Sequence, residues 1–211
     1  LTTLEGRGLV EFDAGAQLWH IGPRAFLIGA RYLRRTSVVD RARPILRRLM
    51  EATGETANLG IARETHVLFV SQVESHASIR AFFPPGTLSP MHASGIGKAL
   101  LAQMTDDRLS RYIATAPLDR FTARTLTDPG ALRADLQETR ARGYAIDDEE
   151  KNEGMRCIAA PVFDHHGEAV AGLSVSGPVS RVSVAQTPRL AEAVVRAAAD
   201  LSAALGADGS G

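Results

Sequence analysis

The stretch Asp147-Asp-Glu-Glu-Lys-Asn-Glu-Gly-Met-Arg-Cys-Ile-Ala-Ala-Pro-Val-Phe-Asp-His-His-Gly-Glu-Ala-Val-Ala-Gly-Leu-Ser-Val-Ser-Gly-Pro178 decides how this chain is read. It opens as an acidic loop. A strand is expected from about Met155 to Phe163, a tight turn around His165 to Gly167, and a second strand from about Ala169 to Ser176. Successive side chains of a strand point to opposite faces, so Ser174 and Ser176 share one face and Leu173 and Val175 the other. The two serine Cβ atoms then lie roughly 6 to 7 Å apart, two strand rises. Cys157 and Ala159 share a face of the first strand in the same way. Small polar groups on one side of a hairpin, with apolar groups behind, read as a pocket wall of hydroxyls and a thiol.

Working outward, Leu88 to Ala102 is a loop feeding a helix, with Ser94 as candidate cap. Gly95 and Gly97 leave the first amides sterically open, and free amides at a helix start suit a small anion. The alternative is a plain loop-to-helix turn. A phosphate loop is excluded, because Ala99 stands where Ser or Thr is needed and no Gly lies five residues before Gly97. Helices are expected over Asp106 to Ala114 and about Pro129 to Arg142, the latter stopped by Gly143, and a last helix runs from Pro188 to about Leu205. Upstream, Thr56 to Ile61, His66 to Val73 and Ser78 to Phe83 read as strands. A helix opened by Thr36 or Ser37 runs to about Ala52, with Pro44 as a possible kink. Its Arg41, Arg43, Arg47 and Arg48 read either as a solvated face or as a nucleic-acid patch. Pro23 to Arg34 reads as a linker helix. Before it, Leu1 to Glu5 is helix-compatible, and Gly8 to Phe12 and Gln17 to Ile21 form two short strands. That arrangement fits the end of a winged helix-turn-helix or any surface hairpin. The chain opens on Leu within a helix-like segment, so a further segment upstream is expected.

Composition narrows the classes. The 211 residues carry 24 Lys and Arg against 24 Asp and Glu, which gives no global pull toward nucleic acid. The length suits one large domain or one domain plus a small appendage, burying roughly 70% of the extended chain's surface. One cysteine excludes an internal disulfide framework and fits a reducing compartment. No run of about 18 uncharged apolar residues is present, so no membrane span is expected. Cys157 could be a nucleophile with His92, His165 or His166 as its base, or a small core residue. His165 and His166 beside Asp164 lack helical metal-ligand spacing, which argues against zinc. Asp147 to Glu150 reads as a solvated loop; if Asp147 points inward it needs a partner, because an unpaired buried carboxylate is costly.

Taken together, Gly8-Leu-Val-Glu-Phe-Asp13 with Leu18-Trp-His-Ile-Gly22, Met91-His-Ala-Ser-Gly-Ile-Gly-Lys-Ala-Leu-Leu-Ala102, Arg142-Gly-Tyr-Ala-Ile-Asp-Asp-Glu-Glu150 with Gly154 to Asp164, and Leu173-Ser-Val-Ser-Gly-Pro-Val-Ser-Arg181 resemble the IclR family of bacterial transcription regulators along essentially the whole chain. The resemblance implies an α/β (α+β) fold: a GAF/profilin-like effector-binding domain over residues 36–208, with a mixed or antiparallel sheet flanked by helices. It implies a linker helix over 22–35 and, over 1–21, the remnant of a winged helix-turn-helix. The base-reading residues would lie upstream. Residues 1–211 alone are then no competent sequence-specific DNA binder, and operator DNA is a partner of the full-length chain. The family pattern for glyoxylate or pyruvate sensing implies effector contacts at Gly95, Ile96, Asp147, Cys157, Ser174 and Ser176. It further implies a small carboxylate effector, homodimers or homotetramers, a cytoplasmic location, and no catalytic residue, metal or cofactor. Ser78, Ala81 and Ser89 fall where an apolar pocket wall is expected. The other readings are a thiol enzyme acting on a small acid through Cys157, a regulator of aromatic-acid catabolism, and a structural oligomerisation domain with a collapsed apolar interior.

Overall fold

A computed structural model describes residues 1–28, 37–78, 81 and 83–207, and two compact units divide the chain, Leu1–Asp40 and Arg41–Gly211. In the first unit a short helix, α1 (Thr2–Glu5), precedes the hairpin β1 (Val10–Asp13) and β2 (Leu18–Ile21). Phe12 pairs with Trp19 across it, the rings 5.0 Å apart. Asp13 Oδ1 accepts the Gly15 and Ala16 amides at 2.8 and 3.0 Å and closes the turn. Residues 23–28 (α2) are helical; the rest of the expected linker, to residue 35, lies outside the described residues, as does the alternative cap Thr36.

α3 (Ser37–Thr53) continues through Pro44 as one helix. Pro44 is exposed, so the carbonyl it leaves without an intrahelical partner is open to water. Ala42, Ile45, Leu46 and Leu49 are buried on one side, while Arg41, Arg43, Arg47 and Arg48 are exposed on the other.

The second unit is built on a six-stranded sheet in the order β5-β4-β3-β8-β7-β6, every neighbouring pair antiparallel. The strands are β3 (Thr56–Arg63), β4 (His66–Val73), β5 (Leu88–Pro90), β6 (Ala145–Asp148), β7 (Met155–Phe163) and β8 (Ala169–Pro178). The β7–β8 hairpin falls where the alternating pattern puts it. Two expectations are corrected. The strand expected over Ser78 to Phe83 falls partly outside the described residues, and the described Ser78, Ala81 and Phe83 are not in a strand; the edge position belongs to β5. The acidic segment is not wholly a loop, because Ala145 to Asp148 pairs with Ala159 to Arg156 of β7.

Helices cover both faces. α7 (Thr187–Ala204) packs on β7 and β8 with Leu190, Val194 and Leu201 buried. Ser202 ties it down, its hydroxyl accepting the Phe163 amide at 2.9 Å. The opposite face carries α4 (Gly95–Leu101), α5 (Asp106–Thr115) and α6 (Pro129–Arg142), over a core that includes Phe69, Met91, Ile96, Leu100, Leu109, Leu132 and Leu136. Local signals place α6: Asp128 accepts the Ala131 amide at 2.8 Å, and Gly143 stops the helix at φ +80°.

α4 sits close on the sheet because two glycines make room for it. Gly60 and Gly172 are cross-strand partners, and a Cβ on Gly172 would stand 2.8 Å from Ile96 Cγ2. Gly97 is equally constrained, since a Cβ there would lie 2.2 Å from the Met91 carbonyl oxygen. These close approaches set where the first turn of α4 meets β7.

Candidate functional site

The sheet register brings the site residues into one row. Asp147 pairs with Cys157, Cys157 with Ser176, and Ser176 with Thr56. One step along, Ala159, Ser174 and Asn58 form the next row of the same face. Paired residues of an antiparallel ladder share a side, so this face offers a carboxyl, a thiol and two hydroxyls together. Over them lies the start of α4. Ser94 caps it, its hydroxyl accepting the Gly97 amide at 3.4 Å. The first amides of a helix have no acceptor within it, and Gly95 stands so close to Cys157 that a Cβ on it would lie 2.7 Å from the sulfur.

A cavity of about 20 Å³ opens between these elements, room for a water-sized guest. Five of the six expected effector residues line it: Gly95, Ile96, Asp147, Cys157 and Ser176. Ser174 does not line it; fully buried, it stands one row behind with its hydroxyl accepting from Asn58 Nδ2 at 3.3 Å. The lining also takes in Phe69, Phe83, Ser89 and Lys151. Phe69 and Phe83 stack at 5.0 Å, 12° from parallel, and make the apolar wall; Ser89 joins the lining as its position in the pattern implies, whereas Ala81 is buried outside it.

Charge is concentrated below this pocket. Lys98 on α4 is completely buried, its ammonium 2.5 Å from Glu150 Oε1 and 3.0 Å from Asp135 Oδ2 on α6. Burial pushes Glu150 up to about 7 even against the attraction of Lys98. The Glu150 amide donates to Asp147 Oδ1 at 2.8 Å, and the Thr122 and Thr125 hydroxyls donate at 2.7 Å to the backbone oxygens of Glu149 and Glu150. Thus the segment is not solvated as expected. Its turn is pinned from both sides, and burial raises the Asp147 carboxyl to about 6. Asp148 points elsewhere, to Arg124 at 2.6 Å and to Arg156.

Cys157 is held as a thiol. Burial first, and then the nearby Asp147 carboxylate, raise it to about 11, while Ser176, Ser174 and the Gly95 amide pull the other way. Among the described residues, no imidazole is hydrogen-bonded to it as a base would be. His92 Nε2 donates to the Asp119 carbonyl at 3.0 Å, and its ring lies against Phe121. His165 and His166 lie against each other, ring centroids 3.8 Å apart and tilted by 43°, in the turn beyond Phe163, itself six strand residues or roughly 20 Å from Cys157. Asp164 beside them has a turn role, its Oδ1 accepting the His166 and Glu168 amides. A raised thiol without a base is not an activated nucleophile.

Three features escaped the sequence reading: Lys151, Asn58 and the Lys98–Glu150–Asp135 cluster. Lys151 stands at the cavity with its ammonium 3.3 Å from the Phe121 ring centroid. Its neighbours along the chain are all charged or polar, so nothing local separates it from a solvated lysine. An apolar helix holding one Lys at position 98 was the only sequence hint of a buried charge.

Residues 30–203 match the family model described as bacterial transcriptional regulator IclR C-terminal. The chain belongs to the IclR family of transcriptional regulators. Over 202 residues it is 58% identical to the HTH-type transcriptional regulator BhcR of Paracoccus denitrificans, covering 96% of this chain and 72% of that protein. It is 38% identical over 208 residues to the transcriptional repressor IclR of Escherichia coli K12, covering 98% and 76%. The crystal structure of the Thermotoga maritima IclR superposes with a TM-score of 0.86 at 30% identity, covering 97% of this chain and 83% of that one. These proteins are named as regulators rather than enzymes, which agrees with the inert environment of Cys157. Among the described residues, no helix is long and apolar enough to cross a membrane.

Proposed function

We propose that this IclR-family regulator is switched by a small 2-oxo acid, such as glyoxylate or pyruvate, bound in the cavity between α4 and the β6–β7–β8 face. The observation that carries the reading is the convergence of the Gly95 amide, the Ser176 hydroxyl and the Asp147 carboxyl on one small cavity. The acid's carboxylate would lie against the Gly95 and Ile96 amides and the Ser176 hydroxyl, with Ser174 behind it and Asp147 bonding its oxo or hydrate oxygen. At about 20 Å³ the space holds no more than a water, so a two- or three-carbon acid needs the least widening and an aromatic one the most. Lys151 and Phe83 would move aside on entry. In this reading residues 36–208 form the effector domain, 22–35 the linker and 1–21 the end of a winged helix-turn-helix. The full-length chain meets operator DNA as a homodimer or homotetramer in the cytoplasm. Effector binding shifts subunit packing only as far as its affinity differs between the two states.

Calorimetry with glyoxylate and pyruvate tests this on the wild type and on Ser174→Ala/Ser176→Ala. Loss of the Ser176 hydrogen bond to a charged group, with Ser174 no longer behind it, predicts binding weaker by at least about tenfold. Equal heats from the two proteins would remove the proposed pocket.

Asp147 adds a pH dependence. A bound carboxylate raises the neighbouring Asp147 further above about 6, so binding takes up a proton. Affinity is therefore expected to rise as pH falls from 8 toward 6, by up to about tenfold per unit between the free and bound values. Asp147→Asn should remove most of that slope, and calorimetry at three pH values reads it directly.

A further inference from the structure

Asn58 on β3 stands outside the cavity lining but touches both serines of the site. Its side-chain nitrogen donates to Ser174 Oγ and to Ser176 Oγ, each at 3.3 Å. An amide nitrogen has two hydrogens, and here both are used. The amide oxygen is occupied as well, accepting from Gln72 Nε2 of β4 at 3.0 Å. Gln72 is Asn58's cross-strand partner, and Ser174 its partner on the other side, so the register of three strands lines up the whole chain of contacts.

The consequence lies in the serine protons. A hydroxyl has one hydrogen, and an oxygen already accepting from Asn58 turns that hydrogen to another acceptor. Cys157 is the cross-strand partner of Ser176, one row from Ser174, and Gly95 stands against its sulfur. The Ser176 proton is thereby turned toward the cavity wall that Gly95 and Cys157 also line, the place where an acceptor-only group such as a carboxylate gains most. Were the Asn58 amide reversed, the serines would donate to its oxygen and present lone pairs to the same spot. Gln72, donating to that oxygen, opposes the reversal.

We propose that Asn58, held by Gln72, is a positioning residue that sets the polarity of Ser174 and Ser176, keeping Ser176 at the cavity as a donor toward the effector's carboxylate. The inference deepens the effector reading above and rests on it for the identity of the ligand. Asn58 is fully buried and its neighbours Ala57 and Leu59 are core residues, so its amide is placed by the strand and not by a flexible loop.

The experiment has two arms. In the first, glyoxylate binding is measured by calorimetry for wild type, Asn58→Leu, Ser174→Ala/Ser176→Ala and the triple variant, with Gln72→Met as a milder change at a half-buried position. Asn58→Leu is expected to weaken binding about tenfold, and to cost nothing further once the serines are gone. Gln72→Met should lose a smaller share. An undiminished cost of Asn58→Leu in the serine-free background assigns it a merely structural role and overturns the proposal. The second arm needs no effector. The chain holds one cysteine, so the S–H stretching band in the infrared belongs to Cys157 and is sensitive to the hydroxyls beside it. Asn58→Leu, or Gln72→Met should the former not fold, is expected to shift the band in the ligand-free protein. An unmoved band in a folded variant overturns the relay. If the wild type binds neither glyoxylate nor pyruvate while the band shifts, the effector reading fails and the relay stands.

Discussion

Replacing Lys98 with Met is expected to cost about 3–5 kcal/mol of stability at pH 8, the range for removing one partner of a buried ion pair. The Lys98 ammonium is fully buried, and its closest partner, Glu150, is nearly so; Asp135 keeps about a quarter of its side chain in water and matters less. Methionine keeps the length and the apolar stem, so little of the loss comes from packing. What is lost is the only cation within hydrogen-bonding distance of Glu150 among the described residues, with Glu150 Oε2 already lacking a partner.

The pH dependence gives the prediction its sign. Glu150 stands at about 7 in the folded chain against an ordinary 4.5. A carboxyl raised on folding contributes stability that is fully present below the ordinary value and is lost as pH rises through the folded one. Without Lys98 the folded value climbs further, and the variant pays at pH 8 for a charge that it can shed at pH 5. The deficit should therefore shrink to about 1–2 kcal/mol at pH 5, where Glu150 is neutral. Urea unfolding at the two pH values measures both. A deficit of one size at both would mean that Lys98 contributes through packing rather than charge. In the wild type, Asp147, raised to about 6, tilts stability the same way over the window below it.

Gly95→Ala is expected to abolish effector binding, by about a hundredfold or more, while leaving the unit folded. A Cβ at Gly95 would sit 2.7 Å from Cys157 Sγ and 3.3 Å from Ala159 Cβ. Alanine suits the first turn of a helix, so the backbone has no objection of its own. The clash falls on the sulfur and on the wall where the carboxylate is proposed to lie. The conflict names its own remedy. In Gly95→Ala with Cys157→Ala the 2.7 Å contact disappears and only the 3.3 Å and 3.5 Å contacts with Ala159 and the residue 157 Cβ remain. The double variant should recover thermal stability, and part of its affinity for glyoxylate. Calorimetry and thermal unfolding on the two proteins read this; a double variant no better than the single would mean that the glycine matters for reasons other than the room it leaves.

Much of the fold was legible because its signals are local. The β7–β8 hairpin follows from alternation between Met155 and Ser176. The α6 boundaries follow from Asp128 at one end and Gly143 at the other, and the buried side of α7 from the spacing of Leu190, Val194 and Leu201. The errors have local causes too. Ala145 to Asp148 carries two carboxylates in four residues and reads as a loop. It is a strand because β7 lends it an edge, and Asp148 finds Arg124 and Arg156 there. Leu88-Ser-Pro90 is too short and too marked by proline to announce a strand, and it is an edge strand, where proline is readily tolerated.

By itself, then, the sequence determined most of the elements and the family pattern, and through that resemblance the set of residues worth gathering: Gly95, Ile96, Asp147, Cys157, Ser174 and Ser176. The motifs that carry the resemblance are a matter of residue type and near spacing, which the chain carries along its length. The tertiary structure alone decided what surrounds them. It put Ser174 behind Ser176 rather than at the cavity, gave both to Asn58 across the sheet, buried Lys98 against Glu150, and brought Lys151 to the pocket. A hydrogen bond from residue 58 to residue 174, or a cation at 98 beneath a carboxylate at 150, depends on how distant segments pack. That leaves no periodicity in the sequence to read. The stretch from Asp147 to Pro178 supplies one wall of the site; the Gly95 turn and the neighbouring strand decide what that wall can do.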